Sequence, residues 1–401
     1  MVRAEATDEE IEAMAETMTV LPQDAGGARL LGRVHVPGAG PTPVLLRDGV
    51  LHDISGVGPT MAHILNRDGL EGHLGGSFPG LGSLDDALAG APGDETRLHL
   101  LAPVDLQALK AAGVTFANSL IERVIEERAA GNAGAAAAIR VDLQSRIGVD
   151  LSAIVPGSDA AMAVKAELQK IGLWSQYMEV GLGADVEVFT KAQPMSSVGH
   201  GDEIGLHPAS GWNNPEPEVV LIVNAHAEIV GATLGNDVNL RDFEGRSALL
   251  LGKAKDNNAS CSIGPFIRLV DDGFTLDHIR GETVSMTVEG ADGYRLEGSS
   301  SMAQISRDLL DIVGQTCNRT HQYPDGFALF TGTMFAPVED RGAPGMGFTH
   351  AIGDVVTIAS PRLGTLVNAV TTSDRARPWT MGTTALMDNL ARRGLLPART
   401  G

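Results

Sequence analysis

The amino-acid sequence predicts a sheet-rich α+β protein of two domains, and three observations carry that reading. Glycine is frequent at 49 residues while aromatics make up only 4% of the chain, which suits strands joined by many turns. Strand-like runs dominate the C-terminal half and helical text is confined to a block before it. Strand and helix do not alternate, so a Rossmann or TIM fold is not expected, and no fixed-period repeat points to a solenoid or propeller. At 401 residues the chain exceeds what one compact core usually takes.

Taken in order, residues 1 to about 25 read as an acidic helical or frayed arm. Arg29 to Val36 and Thr42 to Arg47 read as strands, with Asp48-Gly49 as a hairpin turn. Residues 70–97 are rich in Gly, Pro, Asp and Ser and read as a loop or linker. The boundary is therefore placed at residue 98, giving a small N-terminal domain, 1–97, and a catalytic domain, 98–401. Residues 105–147 have helical character, with Leu120, Ile121, Val124 and Ile125 on one face and a loop expected over Asn132–Ala138. Beyond them the expected strands are Val186–Thr190, Val219–Val223, Glu228–Leu234, Thr283–Val288, Ala328–Phe330, Val355–Ile358 and Leu366–Val370.

The formal net charge of -20 disfavours nucleic acid and anionic membrane as partners, and means that an acidic substrate needs a local cation. Two cysteines, an acidic start without a basic-then-apolar pattern and no apolar run of about 18 residues lead us to expect a cytoplasmic protein.

The informative segment is Asn213-Asn-Pro-Glu216-Pro-Glu218, followed by Val219–Val223. Residues at i and i+2 of a strand share a face, so Glu216 and Glu218 lie side by side. Alone, such a pair is a common feature of exposed strands. The next strand, however, ends in Gly235-Asn-Asp237. If the two strands form an antiparallel hairpin turning near Asn224–Ala227, then Glu216, Glu218 and Asp237 meet at one sheet end. Three oxygen ligands on one side, with the other side left to water and substrate, suit Mg²⁺. Zinc is less suited, because no Cys or His has the spacing. Lys255, in Gly252-Lys253-Ala-Lys255, would supply positive charge for a carboxylate or enolate, the bland reading being a solvated surface loop. Gly-x-Gly-x-x-Gly is not found after a strand, so no nucleotide cofactor is expected.

Together these residues resemble the fumarylacetoacetate hydrolase family: Glu216-x-Glu218, then Asn236-Asp237-x-x-x-Arg241-Asp242, then a Lys nine residues before Gly264-Pro265, then Thr331-Gly-Thr333, Gly353-Asp354 and Leu363-Gly-Thr-Leu-x-Asn368. The resemblance covers roughly residues 98–390. It implies a mixed β-roll, Mg²⁺ or Mn²⁺ held by Glu216, Glu218 and Asp237, a substrate-contacting Lys255 (Lys253 being the other register), Thr333 beside that lysine, and a homodimer or homotetramer. Hydrolases of the family carry Gly-x-Asn-Tyr-x-x-His-x-x-Glu; here the stretch is Gly113-Val-Thr115-Phe116-Ala-Asn-Ser119-Leu-Ile-Glu122. With serine in place of the histidine, hydrolysis loses its base.

The stretches Leu101–Phe116, Leu173-Trp-Ser-Gln-Tyr177, Asn213–Val220 and Arg241-Asp-Phe-Glu-Gly-Arg-Ser247 resemble the family's 2-keto-3-deoxy-pentonate dehydratases, the D-xylonate enzymes among them. That resemblance implies a hydro-lyase converting a 2-keto-3-deoxy-pentonate (D-xylonate or L-arabonate derived) to 2-oxoglutarate semialdehyde in sugar-acid catabolism. Glu187 and Glu122 are then the candidate base and acid, with Ser119, Arg241 and Lys255 towards the substrate. The bland reading pairs Glu187 with Lys191, and Glu122 with Arg123 or Arg128. The alternative activity is a C–C hydrolase or decarboxylase acting on an acylpyruvate, with the same metal site. His200, His207, His226, His321 and His350 read as structural or solvated, Trp174 and Trp212 as packing, and Cys261 as an unactivated thiol.

Overall fold

The computed structural model describes residues 19–146, 154–341 and 344–396. Most of the expected acidic arm therefore lies outside the described residues. The chain opens with β1 (Leu30–Val36), β2 (Gly40–Arg47) and β3 (Val50–Asp53). Asp48 and Gly49 form the two-residue turn between β2 and β3, at φ 51° and 75°. Both central residues are left-handed, which matches the strand twist and explains the Asp-Gly choice. Next come α1 (Met61–Leu65), α2 (Leu70–Leu74), β4 (Gly80–Ser83), α3 (Leu84–Leu88) and β5 (His99–Leu101). The stretch expected as linker thus carries short elements, and the division at residue 98 falls just before β5, inside a sheet that continues on both sides.

β6 (Ala108–Gly113) is followed by four helices: α4 (Ala117–Arg128), α5 (Ala133–Arg146), α6 (Asp159–Lys170) and α7 (Gln176–Leu182). Two expectations are corrected here. Ala108–Gly113 is a strand, not helix: its Ala-rich text favours helix locally, but it sits between parallel β14 and antiparallel β7 and the ladder overrides propensity. Helix α5 begins at Ala133, inside the expected loop, leaving only Ala129–Asn132 as the connection. The strand-rich half contains β7 (Glu187–Ala192), β8 (Glu203–Leu206), β9 (Pro217–Val223), β10 (Ile229–Asp237), α8 (Arg241–Glu244), α9 (Leu251–Lys255), β11 (Cys261–Leu269) and α10 (Leu276–Arg280). It closes with β12 (Thr283–Glu289), β13 (Arg295–Ser301), α11 (Leu309–Thr316), β14 (Phe327–Phe330), β15 (Val355–Ser360), β16 (Gly364–Thr372) and α12 (Thr383–Arg392). No helix among the described residues is long and apolar enough to cross a membrane.

Eleven of the described strands form one mixed sheet, in the order β4-β3-β2-β1-β11-β10-β9-β14-β6-β7 with β5 beside β1. A second sheet, β13-β12-β15-β16-β8, packs against it. β9 is covered on both faces, which is why Val219–Val223 reads as an unbroken apolar run. Val219, Leu221 and Val223 join Val284, Met286, Val356 and Leu366 of the second sheet in one cluster. Val220 and Ile222 join Ile263, Phe330 and Met61 on the other side. Truncating any of these β9 side chains to Ala should cost about 2–5 kcal/mol. The strand that introduces the acidic residues is therefore packed on both faces, and it sets their geometry.

Candidate metal centre and active site

β9 and β10 are the expected hairpin. Glu218 pairs with Gly235 and Pro217 with Asn236. The Asp237 N–H donates to Glu216 O at 3.0 Å, and the turn closes through Asn224, whose O accepts from Ala227 N–H at 3.1 Å. Chain direction alone thus brings Glu216, Glu218 and Asp237 together. One oxygen from each lies within 4.8 Å of the others, and all three are buried.

Glu218 leans on the strand next door. Its Oε2 accepts from the Gly332 N–H at 2.8 Å, while Thr333 Oγ1 lies 3.5 Å from its other oxygen. Gly332 has φ +106°, and a Cβ there would fall 2.0 Å from Thr115 Oγ1. Both facts require glycine in Thr331-Gly-Thr333. Thr333 therefore contacts a carboxylate of the triad, rather than the lysine the resemblance implies.

Four buried cations surround the acids. Lys255 donates to Glu216 Oε2 at 2.5 Å and lies 3.2 Å from Asp237 Oδ2. Lys191, fully buried, lies 3.0 Å from Asp237 Oδ1 and donates to the Lys255 and Val238 carbonyls. Arg123, on α4, donates to Glu216 and to Glu126, and its Nη1 lies 3.0 Å from Glu244 Oε2. Arg241 pairs with Glu126 at 3.1 Å and donates to Pro337 O. Lys191 faces the triad and not Glu187, so the expected Glu187–Lys191 pairing does not form.

Glu187 begins β7 opposite Gly113 of β6. A Cβ on Gly113 would lie 1.9 Å from Glu187 Oε2, so that glycine makes room for the carboxyl. Burial, then the charge of Glu244, pushes the Glu187 carboxyl up to about 7, against the opposing pull of Arg123 and Lys255. Burial and repulsion from Asp237 and Glu216 hold Glu218 well above the usual carboxylate range. Glu216 goes the other way, because Arg123 and Lys255 outweigh its burial. Burial would lower Lys255, but Asp237, Glu216 and Glu244 keep it firmly charged.

The acids outnumber the cations. Glu126, Glu187, Glu216, Glu218, Asp237 and Glu244 stand against Arg123, Lys191, Arg241 and Lys255. With every acid ionised, the deficit is two positive charges, the charge of one divalent cation. No aligned hydrogen bond reaches Asp237 Oδ1. An all-oxygen donor set, a spare donor atom and a double negative charge fit Mg²⁺.

The remaining expected residues lie elsewhere. Glu122 is turned to α5, where Arg140 holds both its oxygens at 3.1 and 2.6 Å, and it does not join Glu187 or the triad. The expected partners Arg123 and Arg128 are otherwise engaged, with Glu126 and the Gly172 carbonyl respectively. Ser119 Oγ donates to Phe116 O within its own helix. Arg241 stays within the charge cluster, paired with Glu126 and bonded to Pro337 O, and its buried Nη2 has no hydrogen-bond partner. His200 binds the Thr365 carbonyl, and His350 lies 3.0 Å from Asp354, both in structural settings. Burial pushes the Cys261 thiol up to about 12, so it is not an activated nucleophile. Arg123, Glu126, Lys191 and Glu244 were not legible as site residues. Arg123 sits among ordinary helix-surface charges in the text, and only the tertiary packing of α4 buries it against Glu216 and Glu244.

A family model described as Fumarylacetoacetate (FAA) hydrolase C-terminal matches residues 168–371. A probable 2-keto-3-deoxyxylonate dehydratase of Haloferax volcanii is 31% identical over 233 residues, covering 58% of this chain and 76% of that protein. A 2-dehydro-3-deoxy-D-arabinonate dehydratase of Saccharolobus solfataricus is 32% identical over 187 residues, 46% of this chain and 58% of that protein. Among solved structures, a 2-keto-3-deoxy-D-arabinonate dehydratase complexed with magnesium and 2,5-dioxopentanoate superposes with TM-score 0.57 at 19% identity, covering 87% of this chain and 100% of that one. The fumarylacetoacetate hydrolase of Exiguobacterium antarcticum superposes with TM-score 0.53 at 17% identity, over 86% of this chain and 100% of that one.

Proposed function

Because the chain belongs to the fumarylacetoacetate hydrolase family, we propose that it is a Mg²⁺-dependent dehydratase that converts a 2-keto-3-deoxy-pentonate to 2-oxoglutarate semialdehyde. The observation that carries this is the buried triad beside Lys255, with the raised carboxyl of Glu187 near it. Support for the substrate class comes from the two dehydratase relatives and from the magnesium and 2,5-dioxopentanoate of the similar structure. Two buried, free cysteines accord with a cytoplasmic setting.

Glu216, Glu218 and Asp237 would hold the cation. When bound, Mg²⁺ supplies Lewis acidity that polarises a keto group and acidifies the neighbouring C–H. Lys255, kept charged by its neighbours, offsets negative charge at the substrate carboxylate or the enolate oxygen. Glu187, titrating near neutrality, accepts the C3 proton. The C4 hydroxyl then leaves as water, and a second proton shift from C5 yields the aldehyde. The hydrolase alternative lacks support in the geometry, since Ser119 is bound within α4 and Glu122 is held by Arg140.

The test is a panel of 2-keto-3-deoxy acids incubated with enzyme and Mg²⁺, with the product trapped by an aldehyde dehydrogenase. A five-carbon semialdehyde is expected from the pentonates. Release of pyruvate, or no turnover of any member, overturns the reading.

A further inference from the structure

Eliminating water from a 2-keto-3-deoxy acid moves two protons, one away from C3 and one onto the departing hydroxyl. Glu187 accounts for the first. The structure turns Glu122 away towards Arg140, so the second needs another source. Of the other five carboxyls of the cluster, Glu216, Glu218 and Asp237 would hold the cation. Glu126 is held on one oxygen by Arg123 at 2.7 Å and faces Arg241 with the other at 3.1 Å. Glu244 is left. It ends α8, only 5% exposed, and no aligned donor reaches its Oε2 although Arg123 Nη1 lies 3.0 Å away.

We infer that Glu244, which Arg123 ties to Glu216 of the cation site, is the acid that protonates the departing C4 hydroxyl. This rests on the dehydratase reading above. The charge of Glu244 helps to raise the Glu187 carboxyl, with Arg123 and Lys255 pulling the other way. Arg123, Lys255, Glu126 and Glu216 face Glu244, with Tyr177 beside them. Burial, aided by Glu126 and Glu216, raises its carboxyl against Arg123 and Lys255. One divalent cation would bring the cluster to neutrality, so an entering carboxylate substrate adds a negative charge that favours a protonated carboxyl. Arg123 also ties Glu244 to Glu216, which fixes the acid relative to the cation site.

The step balances. The enolate pair forms the C3–C4 double bond as the C2 carbonyl returns. The C4–O bond breaks with its electron pair on oxygen, and that oxygen takes the Glu244 proton to leave as water. Glu187 is then protonated and Glu244 ionised. Removal of a C5 proton by Glu244, with return of a proton to C3 from Glu187, resets both and leaves the C4–C5 enol, which ketonises to the aldehyde as C4 gains a proton and the enol hydroxyl loses one to solvent.

The test separates enolisation from elimination. In deuterated solvent with Mg²⁺, 2-oxobutyrate offers C3 protons but no C4 hydroxyl, and its exchange is followed by NMR beside semialdehyde formation from the pentonate. Glu244→Gln should lower semialdehyde formation roughly 10²-fold or more, and by a much larger factor than it lowers 2-oxobutyrate exchange. Glu187→Gln should lose both. Glu244→Asp keeps an acid and should recover part of the semialdehyde rate. Wild-type semialdehyde formation by Glu244→Gln overturns the inference, as does parallel loss of exchange and product in both Glu244 variants. If the wild type itself exchanges 2-oxobutyrate but dehydrates no member of the panel, the dehydratase reading fails instead.

Discussion

At the scale of single residues, the site is a problem in charge. Six carboxyls sit in one buried region and only four fixed cations oppose them, so the folded protein holds repulsion that a divalent cation would relieve. Metal-stripped protein should therefore be inactive and melt at a lower temperature, and Mg²⁺ at 100 times its Kd should return about 2.7 kcal/mol of stability. Calorimetry with and without chelator checks this; a melting temperature indifferent to Mg²⁺ would remove the metal from the site. Asp237→Asn should blunt the Mg²⁺ response, because it removes one of the three carboxylates that could hold the cation.

Glu187 carries a second residue-scale prediction. Its carboxyl is raised to about 7, so the ionised form is disfavoured in the folded state. The unfolded carboxyl ionises near 4.5, and the resulting stability penalty is absent below that pH and complete above about 7. Glu187→Gln should stabilise the protein at pH 8 by up to about 3 kcal/mol, the gain vanishing towards pH 4.5. Turnover should move the opposite way, falling roughly 10²-fold. In the wild type, kcat/KM should drop as pH falls below about 7, and the variant should lack that limb. A Glu187→Gln variant that is both fully active and no more stable at pH 8 would show that the carboxyl is neither buried nor the base.

At the scale of elements, the acidic triad was legible because it depends on one hairpin. Strand parity puts Glu216 and Glu218 on one face, and an antiparallel return brings Asp237 to them. Arg123 and Glu244 were not legible, because they reach the site through the packing of α4 against α8, a long-range event with no local signature. Likewise Ala108–Gly113 reads as helix until β14 and β7 flank it. The Thr331-Gly-Thr333 turn after β14 tests how tightly such elements are coupled to the site. Gly332→Ala would need φ +106° and would push a Cβ to within 2.0 Å of Thr115 Oγ1. The turn should shift, withdraw the N–H from Glu218, weaken Mg²⁺ affinity and cost about 1–3 kcal/mol of stability. Unchanged Mg²⁺ affinity in a folded Gly332→Ala would mean that the turn does not position Glu218.

At the scale of the whole molecule, composition suggests a seam near residue 98, yet the bonding runs across it. Leu30 and Leu31 of β1 pair with Arg268 and Ile267 of β11, and β5 continues along the same edge of β1, opposite Arg33–His35. Arg33 donates to the carbonyls of Ala102 and Val104, Asp105 accepts from the Met61 and Ala62 N–H groups, and Asn66 accepts from Ala225 N–H. Phe266 of β11 packs with Leu30, Val34, Val44 and Leu46. A chain lacking residues 1–97 would expose Phe266 and the β11 edge and leave Asp105 buried beside no cation, since its partner Arg33 lies 3.8 Å away in the deleted part. The 98–401 chain should then aggregate or fail to fold, even though every proposed site residue is retained. The full-length protein should melt in one calorimetric transition, with the calorimetric and van't Hoff enthalpies equal. A soluble, Mg²⁺-binding 98–401 fragment with its own transition would instead establish the catalytic part as an independent folding unit. The strands before residue 98 would then be an attachment to the sheet, not a component of it.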